Sequence, residues 1–319
     1  MKLIHTTTYN LYHENIKRDY RVAIISDIHF SYLVTEEKLN ELVNYFKSIK
    51  PDYILITGDL IDSVDMVSDY YERKRLLNWL SRLGSITTTL ISLGNHDFYK
   101  KKYYDESKKN GKYCFTYYND TSFWNKVNNL ENVYLLDNDY FLDNHLYVVG
   151  VTNSYEYYHS NHQKNKRITE NKDKLLEELR ELKNKLKKGS ENKIKLAMLH
   201  SPILLKDLEV QEELDGFDYY LSGHMHNGCV PPMLYEMVNS DLGLIAPNKS
   251  LLPRNTRNTL KSINDKLLVT GSVTMFHECS GLMPIFNVMY PTYVSVINFT
   301  NNKEYKCRKL KIKKEYIKM

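Results

Sequence analysis

The chain has 319 residues, of which 42% are hydrophobic and 26% charged, and a formal net charge of +5, values typical of a globular protein with one large domain or two small ones. That charge is too small to demand a nucleic-acid partner, and it does not repel a phosphate-bearing substrate. There is no apolar run of about 18 residues, no signal-peptide core between Met1 and Tyr20, and no close pair among the four cysteines, so we expect no membrane span, no disulfide framework and a cytoplasmic location.

The first third of the chain alternates short apolar runs with helical patterns. Residues 21–26, 53–57 and 88–93 are β-branched runs typical of buried strands. Thr35 has the character of a helix N-cap and Pro51 marks the end of that helix, while Ser68 to Leu83 predicts a second helix. Strands that alternate with helices in this way predict βαβ units and a largely parallel sheet.

The middle of the chain departs from this alternation. Residues 98–131 are rich in Tyr, Lys and Asn, and we interpret them as a lid insertion over the site, with an ordinary polar connection as the alternative. Three short strands are predicted at 133–136, 140–142 and 146–151. Residues 169–189 have a leucine stripe and a charged outer face, which predicts a surface helix.

Two further strands, 194–199 and 217–221, precede a long irregular loop at 227–265. A loop of that length inside a domain is usually functional or mobile. Tyr293–Phe299 and Tyr305–Ile312 are predicted to close the fold as a strand pair with Asn301-Asn302 at the turn. No linker separates these segments, so residues 1–319 are predicted to form a single domain.

Five polar motifs each stand at the carboxyl end of a predicted strand. They are Asp27-Ile28-His29, Gly58-Asp59-Leu60-Ile61-Asp62, Gly94-Asn95-His96-Asp97, His200 and Gly223-His224-Met225-His226. Ligands of open α/β sheets bind beyond the carboxyl ends of the strands. Any one of these residues could be a cap or a buried polar group, but five motifs in series predict one common site.

The residue types in these motifs predict metal binding. The candidate ligands are Asp27, His29, Asp59, Asn95, His96, His200, His224 and His226, and such carboxylate, imidazole and amide groups suit Mn²⁺, Fe²⁺ or Zn²⁺. A single zinc ion needs about four ligands, so eight candidates predict two divalent metal ions with a shared carboxylate. Two metals about 3.5–4 Å apart form a clamp for in-line displacement at phosphorus. The preceding Gly58, Gly94 and Gly223 permit close backbone approach.

The order of these motifs, from Val22 to His226, resembles the calcineurin-like metallophosphoesterase family. The resemblance implies an α/β fold in which two mixed β-sheets pack as a sandwich flanked by helices. It implies that Asp27, His29 and His226 bind one metal, that Asp59 bridges, and that Asn95, His200 and His224 bind the other. It further implies that His96 acts on the phosphate, that Asp97 orients His96, and that Asp62 supports the ligands from behind.

Within that family, the Gly223–Pro231 and Ser280–Asn287 blocks are similar to a subgroup of small bacterial members. Those members carry a threonine between the two histidines and a Gly-Gly-Gln after them. Here the corresponding residues are Met225 and Asn227-Gly228-Cys229. The metal ligands match, whereas the residues that follow His226 differ, so the substrate of the subgroup is not transferred to this chain.

The function that these motifs imply is hydrolysis of a phosphoester, as a phosphodiesterase or a phosphatase, by a metal-bridging hydroxide that attacks phosphorus in line. One alternative is a non-catalytic metal-binding scaffold for protein contacts. Another is a nuclease, for which the Lys- and Tyr-rich segment Tyr99–Tyr118 is the candidate nucleic-acid surface. A lipid-linked substrate at a membrane surface is a further alternative, and no feature favours a particular oligomeric state.

Overall fold

The computed structural model of the chain describes residues 3–14, 16–105, 112–118, 121–153, 166–187, 192–234, 237–238, 242–246, 251–254, 256, 266–275, 290–305 and 313–318. The block Ser280–Asn287, most of the predicted last strand, and parts of the predicted lid and long loop lie outside these residues. None of the helices in the described ranges combines the length and apolar character that a membrane span requires.

The larger sheet has seven strands in the part of the chain that the structure describes: β1 (Leu3–Tyr12), β2 (Tyr20–Ile25), β3 (Tyr53–Thr57), β4 (Thr88–Ser92), β7 (Val133–Leu136), β13 (Thr292–Thr300) and β14 (Lys313–Lys318). Their order is β14-β1-β13-β2-β3-β4-β7. Strands β2, β3, β4 and β7 are parallel, as the βαβ alternation predicts. Strand β13 is antiparallel to β2, which makes the sheet mixed.

The second sheet has five strands among the described residues: β8 (Asp139–Leu142), β9 (Leu146–Val151), β10 (Ile194–Leu199), β11 (Tyr219–Ser222) and β12 (Leu267–Val269). Their order is β12-β11-β10-β9-β8. Four of them are parallel, and β8 is antiparallel to β9 through a hairpin at Asp143. A separate antiparallel pair is formed by β5 (Tyr99–Asp105) and β6 (Lys112–Tyr118).

Within the described ranges, six α-helices accompany the sheets: α1 (Glu36–Ile49), α2 (Val64–Ser68), α3 (Tyr70–Gly84), α4 (Thr121–Asn128), α5 (Lys166–Lys187) and α6 (Leu208–Glu213). Helix α1 begins as predicted, because the Thr35 side chain accepts the Lys38 N–H, and Lys50 ends it with a left-handed residue whose N–H donates to the Phe46 carbonyl. The predicted helix Ser68–Leu83 corresponds to α3, which begins two residues later than predicted because Asp69 is extended and its carboxylate accepts two N–H groups of α3.

The core forms three apolar layers. Residues 22–25 of β2 are all apolar because both faces of the strand are buried: Val22 and Ile24 face the second sheet, while Ala23 and Ile25 face the helices. Helices α1, α3 and α4 cover the outer face of the larger sheet, and α5 and α6 cover the outer face of the smaller one. This arrangement confirms the predicted sandwich of two mixed β-sheets flanked by helices.

Strand β1 is internal to the larger sheet, because it pairs with β13 on one side and with β14 on the other. Most of the predicted partner of Tyr293–Phe299 lies outside the described residues, and both edges of β13 are filled by β1 and β2. Helix α4 lies within the predicted lid segment, yet its Phe123, Trp124 and Val127 are buried in the core.

Candidate metal centre

Backbone hydrogen bonds join the loop that follows β2 to the loop that follows β3. The Asp27 N–H donates to the Gly58 carbonyl at 3.1 Å, and the His29 N–H donates to the Asp59 carbonyl at 3.0 Å. On the other side, the Thr274 N–H donates to the Asp27 carbonyl at 3.0 Å. These bonds place the carboxyl ends of the strands in one cleft and fix the side chains they carry.

Five of the candidate ligands have left-handed backbones. The φ angles are 53° at Asp27, 45° at His29, 49° at Asp59, 65° at His224 and 44° at His226. Such conformations are uncommon for residues other than glycine and cost of order 1–3 kcal/mol each unless the surroundings enforce them. Their concentration at this one cleft is typical of a functional site.

The first cluster contains Asp27, His29 and His226. Nε2 of His226 lies 3.3 Å from Nε2 of His29 and 3.3 Å from Oδ1 of Asp27. Nδ1 of His226 lies 2.8 Å from the Met275 carbonyl oxygen. Because a carbonyl only accepts, that nitrogen carries the proton, and Nε2 presents its lone pair to the cluster.

The second cluster contains Asp59, His200 and His224. Nε2 of His200 lies 3.0 Å from Oδ2 of Asp59 and 3.2 Å from Nδ1 of His224. The other nitrogen of His200 lies 2.8 Å from the Thr57 carbonyl oxygen. By the same reasoning Nδ1 of His200 carries the proton, and Nε2 faces the other two groups.

Asp59 belongs to both clusters. Its Oδ2 lies 3.0 Å from Nε2 of His200 in the second cluster and 3.7 Å from Nε2 of His29 in the first. Its Oδ1 accepts the backbone N–H of His96 at 2.8 Å. The carboxylate therefore occupies the position that a bridging ligand between two cations would need.

The charges in the cleft keep Asp59 ionised. Burial raises the pKa of Asp59, but the nearby His200, His96 and His29 outweigh it and hold that pKa well below its usual range. Burial lowers the pKa of His200, whereas Asp59 and Asp27 raise it to about 9. Burial and the adjacent His200 hold the pKa of His224 well below the usual value. These buried imidazoles therefore surround one fixed negative charge, the carboxylate of Asp59.

These residues fit divalent metal ions. Oδ1 of Asn95 is buried and has no hydrogen-bond partner within the described part of the chain, and an orphaned buried acceptor is costly unless something binds it. The ring nitrogens and carboxylates of both clusters are likewise held face to face at 3.0–3.3 Å. Nitrogen and oxygen donors of this kind suit Mn²⁺, Fe²⁺ or Zn²⁺.

Three glycines allow the loops to approach this closely. A Cβ on Gly58 would lie 2.4 Å from Nδ1 of His200, and a Cβ on Gly94 would lie 2.3 Å from Oδ1 of Asp59. A Cβ on Gly223 would lie 1.7 Å from Oγ of Ser26. The sequence prediction of close backbone approach at these positions is confirmed.

Asp62 holds two histidines from behind. Its Oδ1 lies 3.4 Å from Nδ1 of His29 and 3.6 Å from Nδ1 of His96, and its carbonyl oxygen lies 2.8 Å from the same Nδ1 of His96. A carboxylate behind a metal-binding histidine fixes the ring orientation and makes the other ring nitrogen a better donor to the metal. His96 is only partly buried and lies edge-on to His29 at 4.7 Å between ring centroids.

The structure gives Asp97 partners other than the predicted His96. Its two carboxylate oxygens accept the N–H groups of Ile61, at 3.0 Å, and Gly94, at 2.7 Å. Burial and the nearby Asp59 raise the pKa of Asp97 to about 7. Asp97 therefore ties together the loops that carry Asp59 and Asn95, while the contact to the His96 ring comes from Asp62.

Sequence reasoning missed the support that the site receives from residues 273–275. The Lys38 ammonium group donates to the Val273 carbonyl at 2.5 Å and to Oγ1 of Thr274 at 3.3 Å. That segment carries the Met275 carbonyl that orients His226. Backbone carbonyls leave no sequence signal, and Lys38 resembles any lysine in the first turns of a helix.

Comparison with known proteins gives a consistent result. A family model described as calcineurin-like phosphoesterase matches residues 20–228. An uncharacterised metallophosphoesterase of Campylobacter jejuni is 32% identical over 88 residues, which is 27% of this chain and 21% of that protein. A transmembrane protein with a metallophosphoesterase domain from Danio rerio is 38% identical over 80 residues, 25% of this chain and 17% of that protein. An uncharacterised metallophosphoesterase of Bacillus subtilis is 32% identical over 78 residues, covering 24% and 26%.

Each matched stretch is thus about a quarter or less of the relative's own length. Among solved structures, a dimetal phosphatase from Danio rerio has a TM-score of 0.37 at 10% identity, over 80% of this chain and 88% of that one. The inner-membrane-complex anchor GAP50 of Plasmodium has a TM-score of 0.34 at 12% identity, over 76% and 72%.

Proposed function

Because the chain belongs to the calcineurin-like phosphoesterase family, we propose that it hydrolyses phosphoesters at the metal centre, with two divalent metal ions as cofactors. The observation that carries this proposal is the position of Asp59, whose one carboxylate reaches the imidazoles of both ligand clusters. We assign Asp27, His29 and His226 to one metal, and Asn95, His200 and His224 to the other, with Asp59 shared.

When bound at such a centre, two divalent cations activate water for attack at phosphorus and neutralise the charge that develops on the phosphoryl oxygens. The chain's own residues then supply orientation and a proton. Nδ1 of His96 is held by the Asp62 carbonyl, so we assign the contact with the phosphoryl group or the leaving oxygen to Nε2. The backbone N–H of His96 also donates to Oδ1 of Asp59, which fixes the backbone of His96 relative to that carboxylate.

A non-catalytic scaffold remains the alternative from a different class. The two proposals differ in what they require of His96, because a scaffold needs the metal ligands for folding but has no use for a partly exposed histidine beside them. We also propose a cytoplasmic location, on the grounds that the four cysteines are widely separated and that Cys229 is unpaired.

The test is hydrolysis of bis(p-nitrophenyl) phosphate and p-nitrophenyl phosphate by chelated protein reloaded with Mn²⁺, with His96→Ala beside the wild type. We expect the variant to lose about 10²–10⁴-fold in kcat, as for loss of a general acid, with its metal content unchanged by elemental analysis. Faster turnover of the diester identifies a phosphodiesterase, and faster turnover of the monoester a phosphatase.

The His145→Ala variant is the matched control, because His145 pairs with Tyr20 and lies outside both metal clusters. It should keep wild-type turnover. Equal activity of His96→Ala and wild type would refute the role of His96, and no hydrolysis of either substrate by metal-loaded protein would favour the scaffold.

A further inference from the structure

An arginine of helix α3 reaches the loop that follows a proposed metal ligand. Nη2 of Arg75 donates to the Ser31 carbonyl at 3.1 Å and also to the Val34 carbonyl. Both carbonyls belong to the segment between His29 and helix α1, which we call the His29 loop (residues 30–35). One side chain therefore holds two points of a loop that begins directly after a candidate ligand.

The His29 loop makes a tight turn where Arg75 binds it. The Val34 N–H donates to the Ser31 carbonyl at 3.0 Å, and the Leu33 N–H donates to Oγ of Ser31 at 3.3 Å. Ser31 and Val34 are both buried, so their carbonyls have little access to water and need protein donors. The charged guanidinium supplies these donors, and hydrogen bonds from a charged group are stronger than neutral ones.

The guanidinium of Arg75 is itself fixed on its other sides. Nε lies 2.9 Å from Oε1 of Glu36 on α1, and Nη1 lies 2.8 Å from Oε2 of Glu72 on α3. The group also stacks over the ring of Phe30, with 4.6 Å between Cζ and the ring centroid. All three nitrogens are thus engaged within the protein. Only the planar fork of arginine can serve this many acceptors at once, which a lysine cannot do.

The His29 loop is joined by its backbone to the residues of the metal centre. The Phe30 N–H donates to the Leu60 carbonyl at 2.9 Å, and the Asp62 N–H donates to the Phe30 carbonyl at 3.1 Å. The carboxylate of Asp62 in turn lies 3.4 Å from Nδ1 of His29. A displacement of the loop would therefore move both His29 and the carboxylate that orients it.

The second ligand cluster is held by different contacts. Nδ1 of His200 lies 2.8 Å from the Thr57 carbonyl oxygen at the end of β3, and the ring packs against Gly58 and Gly94. The shared Asp59 is fixed by the backbone N–H of His96 at 2.8 Å. The two clusters therefore depend on different supports, and the contacts of Arg75 lead to the first.

We propose that Arg75 is a positioning residue for the first metal, and that its hold on the His29 loop decides whether the centre is loaded with two metal ions or with one. This inference rests on the proposed function, in which both clusters bind metal. Arg75 supplies no ligand atom, because a guanidinium is only a donor. It acts through the loop backbone on His29 and Asp62.

The test is calorimetric titration of the chelated full chain with Zn²⁺, in wild type, Arg75→Met and Arg75→Lys. Wild type should bind two ions. Arg75→Met should bind one of them about 10–100-fold more weakly, as for loss of a group that orients a metal ligand. Arg75→Lys keeps the charge without the fork and should show a smaller loss. It also keeps the test available if the methionine variant does not fold.

A double variant assigns the loss to a site. His29→Ala removes a ligand of the first cluster, so the zinc that remains reports the second. Adding Arg75→Met to His29→Ala should leave that remaining affinity unchanged, because Arg75 acts on the first site. A further loss of tenfold or more in the double variant would show that Arg75 supports the whole fold instead, and would overturn the proposal.

Arg82→Met is the matched control, because Arg82 lies on the same helix and also joins it to α1, through a hydrogen bond of 2.7 Å to Oδ1 of Asn40. Both zinc affinities of this variant should equal those of wild type. Equal zinc binding by Arg75→Met and wild type, or fewer than two zinc ions in wild type, would overturn the proposal.

Hydrolysis of bis(p-nitrophenyl) phosphate separates this inference from the proposed function. Arg75→Met should need about tenfold or more Mn²⁺ for half-maximal turnover and should approach the wild-type kcat at saturating Mn²⁺, a recovery that a general loss of structure would not show. Wild type that binds two ions yet hydrolyses no p-nitrophenyl substrate would refute the proposed function, while the zinc affinities would still decide the role of Arg75.

Discussion

The ammonium group of Lys38 lies 2.5 Å from the Val273 carbonyl oxygen, which joins helix α1 to the segment that orients His226. The two residues are 235 positions apart in sequence. The bond is partly buried and charge-assisted, so it resists exchange with water. Lys38 therefore supports the first ligand cluster indirectly, through the backbone of residues 273–275.

Lys38→Met should lower the free energy of unfolding by about 1–3 kcal/mol, because it leaves the Val273 carbonyl and the Thr274 hydroxyl without this donor. Urea unfolding of metal-free protein measures this loss. Lys47→Met on the same helix is the control, since Lys47 is exposed, and it should cost less than about 1 kcal/mol. Equal effects of the two substitutions would show that Lys38 has no special role.

Asp62→Ala should weaken metal binding about 10–100-fold, because the proposed ligand His29 loses the carboxylate beside Nδ1 of its ring. Titration of chelated protein with Zn²⁺, followed by calorimetry, measures this affinity. Asp62→Asn keeps an acceptor oxygen and should recover part of the loss. If the alanine variant binds zinc as tightly as wild type, Asp62 does not orient the ligands.

Gly223→Ala should destabilise the protein by about 1–3 kcal/mol, because the new methyl group would overlap Oγ of Ser26 and approach Oδ2 of Asp27. Thermal unfolding of the metal-free variant reports the change. The double variant with Ser26→Gly, which removes the Ser26 side chain, should regain stability relative to Gly223→Ala alone. A double variant with no recovery would place the strain elsewhere.

Asp59→Asn should abolish most of the stabilisation that metals give. Divalent metal at about 100 times its Kd stabilises a protein that binds it only when folded by about 2.7 kcal/mol per site, so Mn²⁺ should raise the Tm of chelated wild type. A neutral amide cannot balance two cations, and the variant should show a much smaller rise. Asp139→Asn, at an exposed residue of β8, should respond as wild type, and an undiminished rise in Asp59→Asn would refute a shared carboxylate.

The sequence predicted the ligand-bearing part of the structure well because its signals are local. Residues 22–25 and 54–56 are apolar on both strand faces, and the polar residues that follow them lie at one edge of a parallel sheet. As a result, the positions of the strands alone predict that Asp27, Asp59 and His200 lie at one site. The glycines that precede three of the five motifs, Gly58, Gly94 and Gly223, could also be interpreted from the sequence, because close backbone approach excludes a side chain at these positions.

The features that sequence reasoning missed depend on contacts between distant segments. Nothing near Lys313 indicates that β14 pairs with β1 rather than β13. The carbonyl groups of Thr57 and Met275 orient two histidines, yet any residue type could supply them. The start of α3 after Asp69 was missed because the Asp69 side chain competes with backbone carbonyls for the first N–H groups of the helix.

The sheet order also bears on how the chain folds as it is made. Strand β13 lies between β1 and β2, so the two strands synthesised first have no partner on their shared side until most of the chain has left the ribosome. Strand edges that stay unpaired during synthesis can pair with other chains and cause aggregation. We therefore expect ribosome-bound chains arrested before Thr292 to need chaperones, and full-length chains to gain protease resistance abruptly once β13 is inserted.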